Sequence, residues 1–256
     1  MNPAIYAAAA ALGLVFGSFL NVVISRVPRG LSIIKPPSCC PRCGNRIKWY
    51  MNVPLFSYLF LRGRCSACGS RISPVYPAVE ITGAVLAVIS VHFFGLTLET
   101  IFIYPFVMSL AAVTIIDWRH RIIPDSISLP FIILGILYAL LGDELGVVDS
   151  VLGAVAGGGI LYIIGFIYSR IKKIEGIGGG DIKLMAMVGA FLGIKLVLLV
   201  ILIASFAGTI YSLFLIRKGA DGLTAVPFGS FLAPASALCL FAGNQMLHWY
   251  IYFCWQ

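Results

Sequence analysis

The sequence predicts an all-α polytopic membrane protein, with about eight transmembrane helices and a small cytoplasmic module between the first and the second. The first observation is composition, since 60% of the 256 residues are apolar, 11% are charged and the mean hydropathy is +1.00. Soluble domains carry about 25% charged residues. The other two observations are a series of long apolar stretches and an alternation of basic loops. The same composition excludes disordered, fibrous and small disulfide-rich classes.

The apolar stretches predict the helices. The first stretch has no basic residue before it and is followed by Arg26, so it is expected to be an uncleaved first span rather than a signal peptide. Two stretches, 127–141 and 182–194, are shorter than the ~20 residues that a straight crossing needs. The eight segments run approximately over 4–24, 77–94, 100–116, 127–141, 148–169, 182–194, 196–216 and 226–245.

Lysine and arginine residues predict the topology because 17 of the 18 fall in alternate loops, nine of them between Arg26 and Arg71. Lys195 is the exception, and the other loops carry mainly acids: Glu99, Asp143, Glu144 and Asp149. The positive-inside rule places the basic loops in the cytoplasm and the N-terminus outside, which requires an even number of spans. The net charge of +8 therefore reflects membrane topology, and no nucleic-acid partner is expected.

The basic loop over 25–76 contains two Cys-x-x-Cys motifs separated by 21 residues. Each motif supplies two thiolates on a tight turn that a glycine follows, so the four cysteines predict a zinc-ribbon-like module with a structural Zn²⁺. Disulfides are the alternative, but the cytoplasm keeps thiols reduced. The predicted division is a first helix over 1–24, this module over 25–76 and a membrane domain over 77–256. The predicted zinc ligands are Cys40, Cys43, Cys65 and Cys68.

Two acids stand at the cytoplasmic ends of apolar runs. Asp117 ends one run, and Asp181 follows Gly178, Gly179 and Gly180 at the start of another. A carboxylate in hydrocarbon costs about 2.5–3.5 kcal/mol, so it is usually retained for function. The chain has no His-Glu-x-x-His motif, and its three histidines are widely separated, which disfavours zinc-protease and histidine-dependent triad chemistry.

A simpler interpretation exists for each acid alone. Asp117 would pair with Arg119 or Arg121, and Asp181 would cap the helix that follows it. Two carboxylates that share a site are instead expected to share one proton, so that one acts as an acid while the other activates water. That is the chemistry of an aspartyl protease. Three successive glycines beside an acid would let an extended peptide approach closely.

These residues resemble the bacterial type IV prepilin peptidases, which are also prepilin N-methyltransferases, over nearly the whole chain. The resemblance rests on several separate motifs besides the two cysteine pairs. They are Gly17-Ser18-Phe19-Leu20-Asn21-Val22 with Arg26 and Pro28; Trp49 with Asn52, Pro54, Ser57 and Tyr58; Tyr76-Pro77 with Glu80; Asp117 with Ile123-Pro124-Asp125; Gly178-Gly179-Gly180-Asp181-Ile182-Lys183-Leu184; and Pro227-Phe228-Gly229.

The resemblance implies that Asp117 and Asp181 are the catalytic pair of a Gly-x-Gly-Asp membrane aspartyl protease. Family members cut the basic leader from prepilins and pseudopilins after a Gly, on the cytoplasmic side of the bacterial inner membrane. They then methylate the new N-terminal residue with S-adenosylmethionine as the donor. No cofactor fingerprint locates the S-adenosylmethionine site here, and Gly157-Gly158-Gly159 is expected to permit close helix packing.

Several residues near these motifs have open roles. Lys183 either orients the neighbouring carboxylate or extends to the lipid headgroups, and Glu175 also matches a position close to the second acid. Glu80 is expected to contact the leader's basic residues or the new amine. Asp125 is expected to cap the helix after Pro124 rather than to serve in catalysis.

Two departures from the family pattern are visible: Ser230 stands where many relatives have Pro, and Val75 replaces a frequent basic residue. Neither is expected to touch the carboxylates. Two other classes of function remain as alternatives to a peptidase. One is a proton- or cation-coupled transporter that uses the acids as a relay, although no related halves with broken helices are detectable. The other is a non-catalytic assembly factor that docks partners on its zinc module.

Overall fold

A computed structural model describes residues 2–142, 144–173, 176–219 and 226–254. Within these ranges the chain forms eight α-helices and no strands, apart from two isolated β-bridges in the cysteine module. The predicted all-α class is therefore confirmed. The helices are α1 (Pro3–Arg26), α2 (Phe56–Phe60), α3 (Val75–Phe94), α4 (Leu98–His120), α5 (Asp125–Leu141), α6 (Val147–Lys172), α7 (Gly179–Arg217) and α8 (Gly229–Cys254).

Six of these helices, namely α1, α3, α4, α6, α7 and α8, are long and apolar enough to cross a membrane. The prediction of about eight transmembrane helices therefore differs from the structure, in whose described ranges six of the eight helices have this length. The stretch predicted over 127–141 forms α5, a helix of only 17 residues. The stretches predicted over 182–194 and 196–216 join in the 39-residue α7, which is broken at Gly193 by a backbone φ of 72°. Glycine adopts this left-handed conformation without the Cβ clash that other residues suffer.

The described helices carry many large apolar side chains that no other part of the chain covers. Examples are Leu12 on α1 at 61% exposure, Val155 on α6 at 66% and Leu202 on α7 at 66%. Contiguous apolar surface of this extent is unfavourable in water and is expected where lipid covers a helix. The chain is therefore a multi-pass membrane protein.

The chain divides into two compact units, Met1–Met108 and Ser109–Gln256, with the boundary inside α4. In the first unit α1 packs directly against α3. The contact depends on small residues, because a Cβ on Gly13 would lie 2.6 Å from the backbone of Ala84 and one on Gly17 would lie 2.7 Å from that of Glu80. Close backbone approach of this kind is typical of membrane helix pairs.

In the second unit α7 is the central helix and contacts α5, α6 and α8. From Leu184 to Gly193 it is almost fully buried, including Leu184, Met185 and Val188. The α6–α7 contact again uses glycine, since a Cβ on Gly157 would clash with the carbonyl of Met185. The prediction that Gly157-Gly158-Gly159 permits close helix packing is confirmed for Gly157 and Gly158, whereas a Cβ on Gly159 would meet nothing within 4 Å. The start of α7 is thereby held by packing on several sides, and this start carries Asp181.

Candidate active site

Asp117 lies in the last turn of α4, on the buried side of the helix. Its exposed fraction is 5%, and Val113 and Ile116 beside it are fully buried. The helix ends because Arg121 adopts a φ of 54°, and the Arg121 N–H donates to the Asp117 carbonyl over 2.8 Å. A left-handed residue at this position is a common helix terminator. The chain therefore turns away directly after the acid and leaves its carboxyl at a helix end.

Asp181 is the third residue of α7, whose N-cap is Gly178 in an extended conformation. Its carboxylate interacts with the backbone N–H groups of Gly178 and Gly229. An acid in the first turn stabilises a helix through the unpaired N–H groups and the macrodipole. The simpler interpretation of Asp181 is thus partly correct, since the side chain does support its helix, although from the third position rather than from the cap.

The structure brings the two predicted acids into one site. Asp117 lies beside Gly229, since a Cβ on that glycine would be 3.1 Å from Asp117 Oδ2. The first turn of α8 contacts both acids, because the Gly229 N–H interacts with Asp181 and the Ser230 N–H donates to Asp117 Oδ2 over 2.7 Å. Three helix ends, of α4, α7 and α8, therefore surround the pair.

The expectation that Ser230 does not touch the carboxylates is wrong. Besides its N–H, the Ser230 hydroxyl donates to Asp117 Oδ2 over 3.0 Å. The sequence separation of 113 residues conceals this contact, and sequence reasoning treated Ser230 only as a departure from a pattern. The adjacent Pro227-Phe228-Gly229 motif was the available signal, since it marked the start of α8 as a part of the site.

The glycines before Asp181 serve different purposes. A Cβ on Gly180 would lie 2.9 Å from the Ile123 side chain, and one on Gly178 would lie 3.3 Å from Asp181 Oδ2. A Cβ on Gly179 would meet nothing within 4 Å. Gly180 therefore permits the loop after Asp117 to pack against the start of α7, and only Gly179 has open space beside it.

Lys183, which closely follows Asp181 in the sequence, forms an ion pair with Asp125, which follows Asp117. Lys183 Nζ donates to both Asp125 carboxyl oxygens over 2.7 and 2.8 Å, and the two side chains are 40% and 56% exposed. Lys183 thus contacts a carboxylate other than the one expected, and Asp125 is the first residue of α5 after an N-cap at Pro124. Asp117 forms no ion pair with an arginine in the described part of the chain.

Glu80 lies in the first unit, on α3, with an exposed fraction of 9%. Its Oε2 accepts a 2.8 Å hydrogen bond from the backbone N–H of Leu55. Leu55 has φ 60° and ψ −51° and precedes α2, a conformation that non-glycine residues rarely adopt. Glu80 thus binds the backbone of its own chain, at a strained turn of the cysteine module.

The four predicted zinc ligands converge. All their sulfur atoms lie within 4.8 Å of one another, and the Cys40 and Cys68 sulfurs are 4.0 Å apart. Tetrahedral Zn²⁺ with Zn–S bonds of about 2.3 Å needs sulfurs about 3.8 Å apart, so the cluster fits this ion. The two turns match each other, because the N–H of Gly44 donates to the Cys40 carbonyl and that of Gly69 to the Cys65 carbonyl, both over 2.9 Å.

Local hydrogen bonding favours the thiolate form that metals bind at two of the four cysteines, whereas the pKa of Cys43 is raised to about 11, because desolvation and the sulfurs of the other three outweigh the bond from the Asn45 N–H. Backbone N–H groups of Cys43 and Arg42 lower the pKa of Cys40 to about 6. The Ser70 hydroxyl, 3.2 Å from the Cys68 sulfur, lowers the pKa of Cys68. Cys39 is a free cysteine outside the cluster, and Cys239 is buried in α8. The donor set is therefore one that holds a metal ion with four thiolates and leaves no position for water.

The fold and the site define a polytopic membrane protein that combines a cluster of four cysteines, whose spacing fits a metal ion, with a pair of aspartates at helix ends. The family model described as "Bacterial Peptidase A24 N-terminal domain" matches residues 11–94, and the one described as "Type IV leader peptidase family" matches residues 104–213. The chain belongs to the type IV leader peptidase family, as curated relatives confirm.

These relatives match over nearly their full length, and each is named "Prepilin leader peptidase/N-methyltransferase". The relative from Pseudomonas putida is 36% identical over 96% of this chain and 94% of its own length. The one from Xanthomonas campestris is 36% identical over 97% and 95%, and the one from Neisseria gonorrhoeae is 36% identical over 86% and 85%. No solved structure matches the chain.

The expectation for Glu175, that it matches a position close to the second acid, lies outside the described residues.

Proposed function

We propose that this chain is a membrane aspartic endopeptidase that removes the leader peptide of type IV prepilins and pseudopilins after a Gly and then methylates the new N-terminal residue. The observation that carries the proposal is that Asp117 and Asp181 both lie against the first turn of α8, where a Cβ on Gly229 would be 3.1 Å from Asp117 Oδ2 and the Gly229 N–H faces Asp181. Membership of a family whose curated relatives are named for both activities supports it. Nothing in the described site favours transport.

The proposed hydrolysis needs one ionised and one protonated carboxyl. The ionised carboxylate takes a proton from a water molecule, whose oxygen attacks the carbonyl carbon of the scissile peptide bond. The protonated carboxyl donates its proton to the carbonyl oxygen, which gives a neutral tetrahedral intermediate. The intermediate then breaks at the C–N bond, as the carboxyl that took the water proton gives it to the leaving amine and a hydroxyl of the intermediate returns a proton to the other carboxylate. The pair is thereby restored, and no covalent enzyme intermediate forms.

The supporting residues are proposed from their positions. Gly178 and Gly180 let the first turn of α7 approach Asp181 and Ile123. Lys183 is proposed to stabilise the start of α7, next to Asp181, through its 2.7 Å ion pair with Asp125. Glu80, hydrogen-bonded to Leu55 over 2.8 Å, is proposed to support the cysteine module. The predicted contact of Glu80 with substrate is not proposed, because the residue is 9% exposed and its carboxylate already binds the Leu55 N–H.

Two cofactors belong to the proposal. A structural Zn²⁺ is held by the four clustered cysteines, whose sulfurs lie within 4.8 Å of one another. S-adenosylmethionine supplies the methyl group for the second activity, which rests on family membership. The proposed location is the bacterial inner membrane, with the N-terminus outside and the basic loops and both aspartates at the cytoplasmic face. The proposed domains are the first helix over 1–24, the zinc module over 25–76 and the protease domain over 77–256.

Mass spectrometry of a prepilin-like peptide after incubation with the purified protein and S-adenosylmethionine tests the proposal. Wild type is expected to remove the leader and add one methyl group, whereas Asp117→Asn and Asp181→Asn leave the leader intact. Asp149→Asn is the matched control, since it also neutralises an acid of the second unit, in the first turn of α6, and is expected to retain cleavage. Equal cleavage by all four proteins, or by none, would contradict the aspartyl mechanism.

A further inference from the structure

Ser230 makes an unusually complete contact with one oxygen of Asp117. Its N–H and its hydroxyl lie 2.7 and 3.0 Å from Asp117 Oδ2. The hydroxyl oxygen is also 3.2 Å from the carbonyl oxygen of Thr114, one turn earlier in α4. The single hydroxyl hydrogen can go to either acceptor, whereas the N–H remains directed at the carboxylate. Ser230 is 6% exposed, so water does not readily replace these bonds.

The second oxygen of Asp117 is in a different situation. Within the described ranges Oδ1 accepts no hydrogen bond, while Oδ2 accepts two. One oxygen is therefore held by α8, and the other makes no hydrogen bond to the described residues.

We infer that Ser230 is a positioning residue that holds Asp117 in its reactive orientation by binding Oδ2, an inference that rests on the proposed peptidase function. The residue acts through Asp117 and does not itself meet the reacting atoms. Proline at this position would offer neither an N–H nor a hydroxyl, so both donors to Asp117 depend on the residue that stands here.

The test is steady-state cleavage of a prepilin-like peptide by four variants. Ser230→Ala removes only the hydroxyl, Ser230→Pro removes both donors, and Ser230→Thr keeps both. Ser236→Ala is the matched control, because Ser236 is a buried serine of the same helix that donates to the Leu232 carbonyl over 2.7 Å. Zinc content and elution as a single species verify that each variant is folded.

Loss of positioning lowers kcat and leaves KM almost unchanged. Ser230→Ala is expected to lower kcat about tenfold, which corresponds to ~1.4 kcal/mol, and Ser230→Pro is expected to lower it further. Ser230→Thr and Ser236→Ala are expected to stay within about threefold of wild type, a difference of less than ~0.7 kcal/mol. A merely structural role of Ser230 would instead lower the yield of folded protein and leave the kcat of the folded fraction intact.

The outcomes separate this inference from the proposed function. If folded Ser230→Ala and Ser230→Pro cleave with the wild-type kcat, the inference is overturned while the peptidase proposal stands. If Ser230→Thr is as slow as Ser230→Pro, retained donors do not restore activity and the inference is also wrong. If wild type leaves every prepilin-like peptide intact, the proposed function fails, and the inference fails with it.

Discussion

Replacing Glu80 by alanine is expected to destabilise the N-terminal unit by about 2 kcal/mol. Glu80 Oε2 accepts the Leu55 N–H over 2.8 Å, and Glu80 is 9% exposed. Alanine removes the carboxylate acceptor, so the partly buried Leu55 N–H loses this hydrogen bond. Leaving a buried donor unpaired costs about 1–3 kcal/mol, and the middle of that range is the expected loss.

Leu55 provides an independent estimate of the same contact. Its φ of 60° and ψ of −51° lie outside the regions that non-glycine residues favour, and such a conformation costs about 1–3 kcal/mol. The bond from Glu80 offsets this strain. Leu55→Gly removes the strain without removing the N–H, so it is expected to be neutral or stabilising alone and to recover about 1 kcal/mol in the Glu80→Ala background.

Thermal unfolding in detergent measures the effect. A loss of 2 kcal/mol corresponds to a decrease in Tm of about 4–8 °C for a chain of this size. Glu80→Gln is the control, since its amide oxygen can still accept the bond, and it is expected to lose less than half as much. An unchanged Tm for Glu80→Ala, or equal losses for the two variants, would refute the argument that the hydrogen bond stabilises the turn.

The remaining predictions concern the metal, the ion pair, the broken helix and pH. Cys65→Ser is expected to reduce bound zinc from one equivalent to almost none by elemental analysis, because three thiolates do not complete the tetrahedral site. Lys183→Met is expected to lower stability by only about 0.2–1 kcal/mol in thermal unfolding, since the Asp125 pair is half exposed. Gly193→Ala is expected to reduce the yield of folded protein sharply because its φ is 72°, whereas Gly159→Ala, with open space around it, serves as the tolerant control. Cleavage is expected to rise and then fall with increasing pH, because a pair of carboxyls that shares one proton is active in one protonation state only. A flat profile through the acid range would contradict the shared proton.

The sequence predicted the features that depend on local pattern. Apolar length located the membrane helices, and the spacing of Cys40, Cys43, Cys65 and Cys68 predicted the cluster that the structure contains. The two acids were predicted to meet because Asp117 ends one apolar run and Asp181 begins another, both at the predicted cytoplasmic side. These inferences needed only periodicity, ligand chemistry and the cost of charge in lipid.

Contacts between distant segments were not predictable in the same way. Ser230 meets Asp117 across 113 residues, and Lys183 meets Asp125 across 58. The helix count differed because hydropathy records the length of an apolar stretch but not whether a break interrupts the helix, as at Gly193. Side-chain partners of this kind depend on how helix ends are placed by packing, which no single segment encodes.

The cysteine module has almost no interior of its own. Among its described side chains from 27 to 74, only Cys40 is buried. A segment of this size without an apolar core buries too little surface to offset the chain entropy that it loses on folding. The free energy of metal binding is then expected to stabilise its folded form. The supply of zinc in the cell would therefore decide whether this segment is folded. The helices on either side, α1 and α3, pack against each other and would keep their structure without zinc.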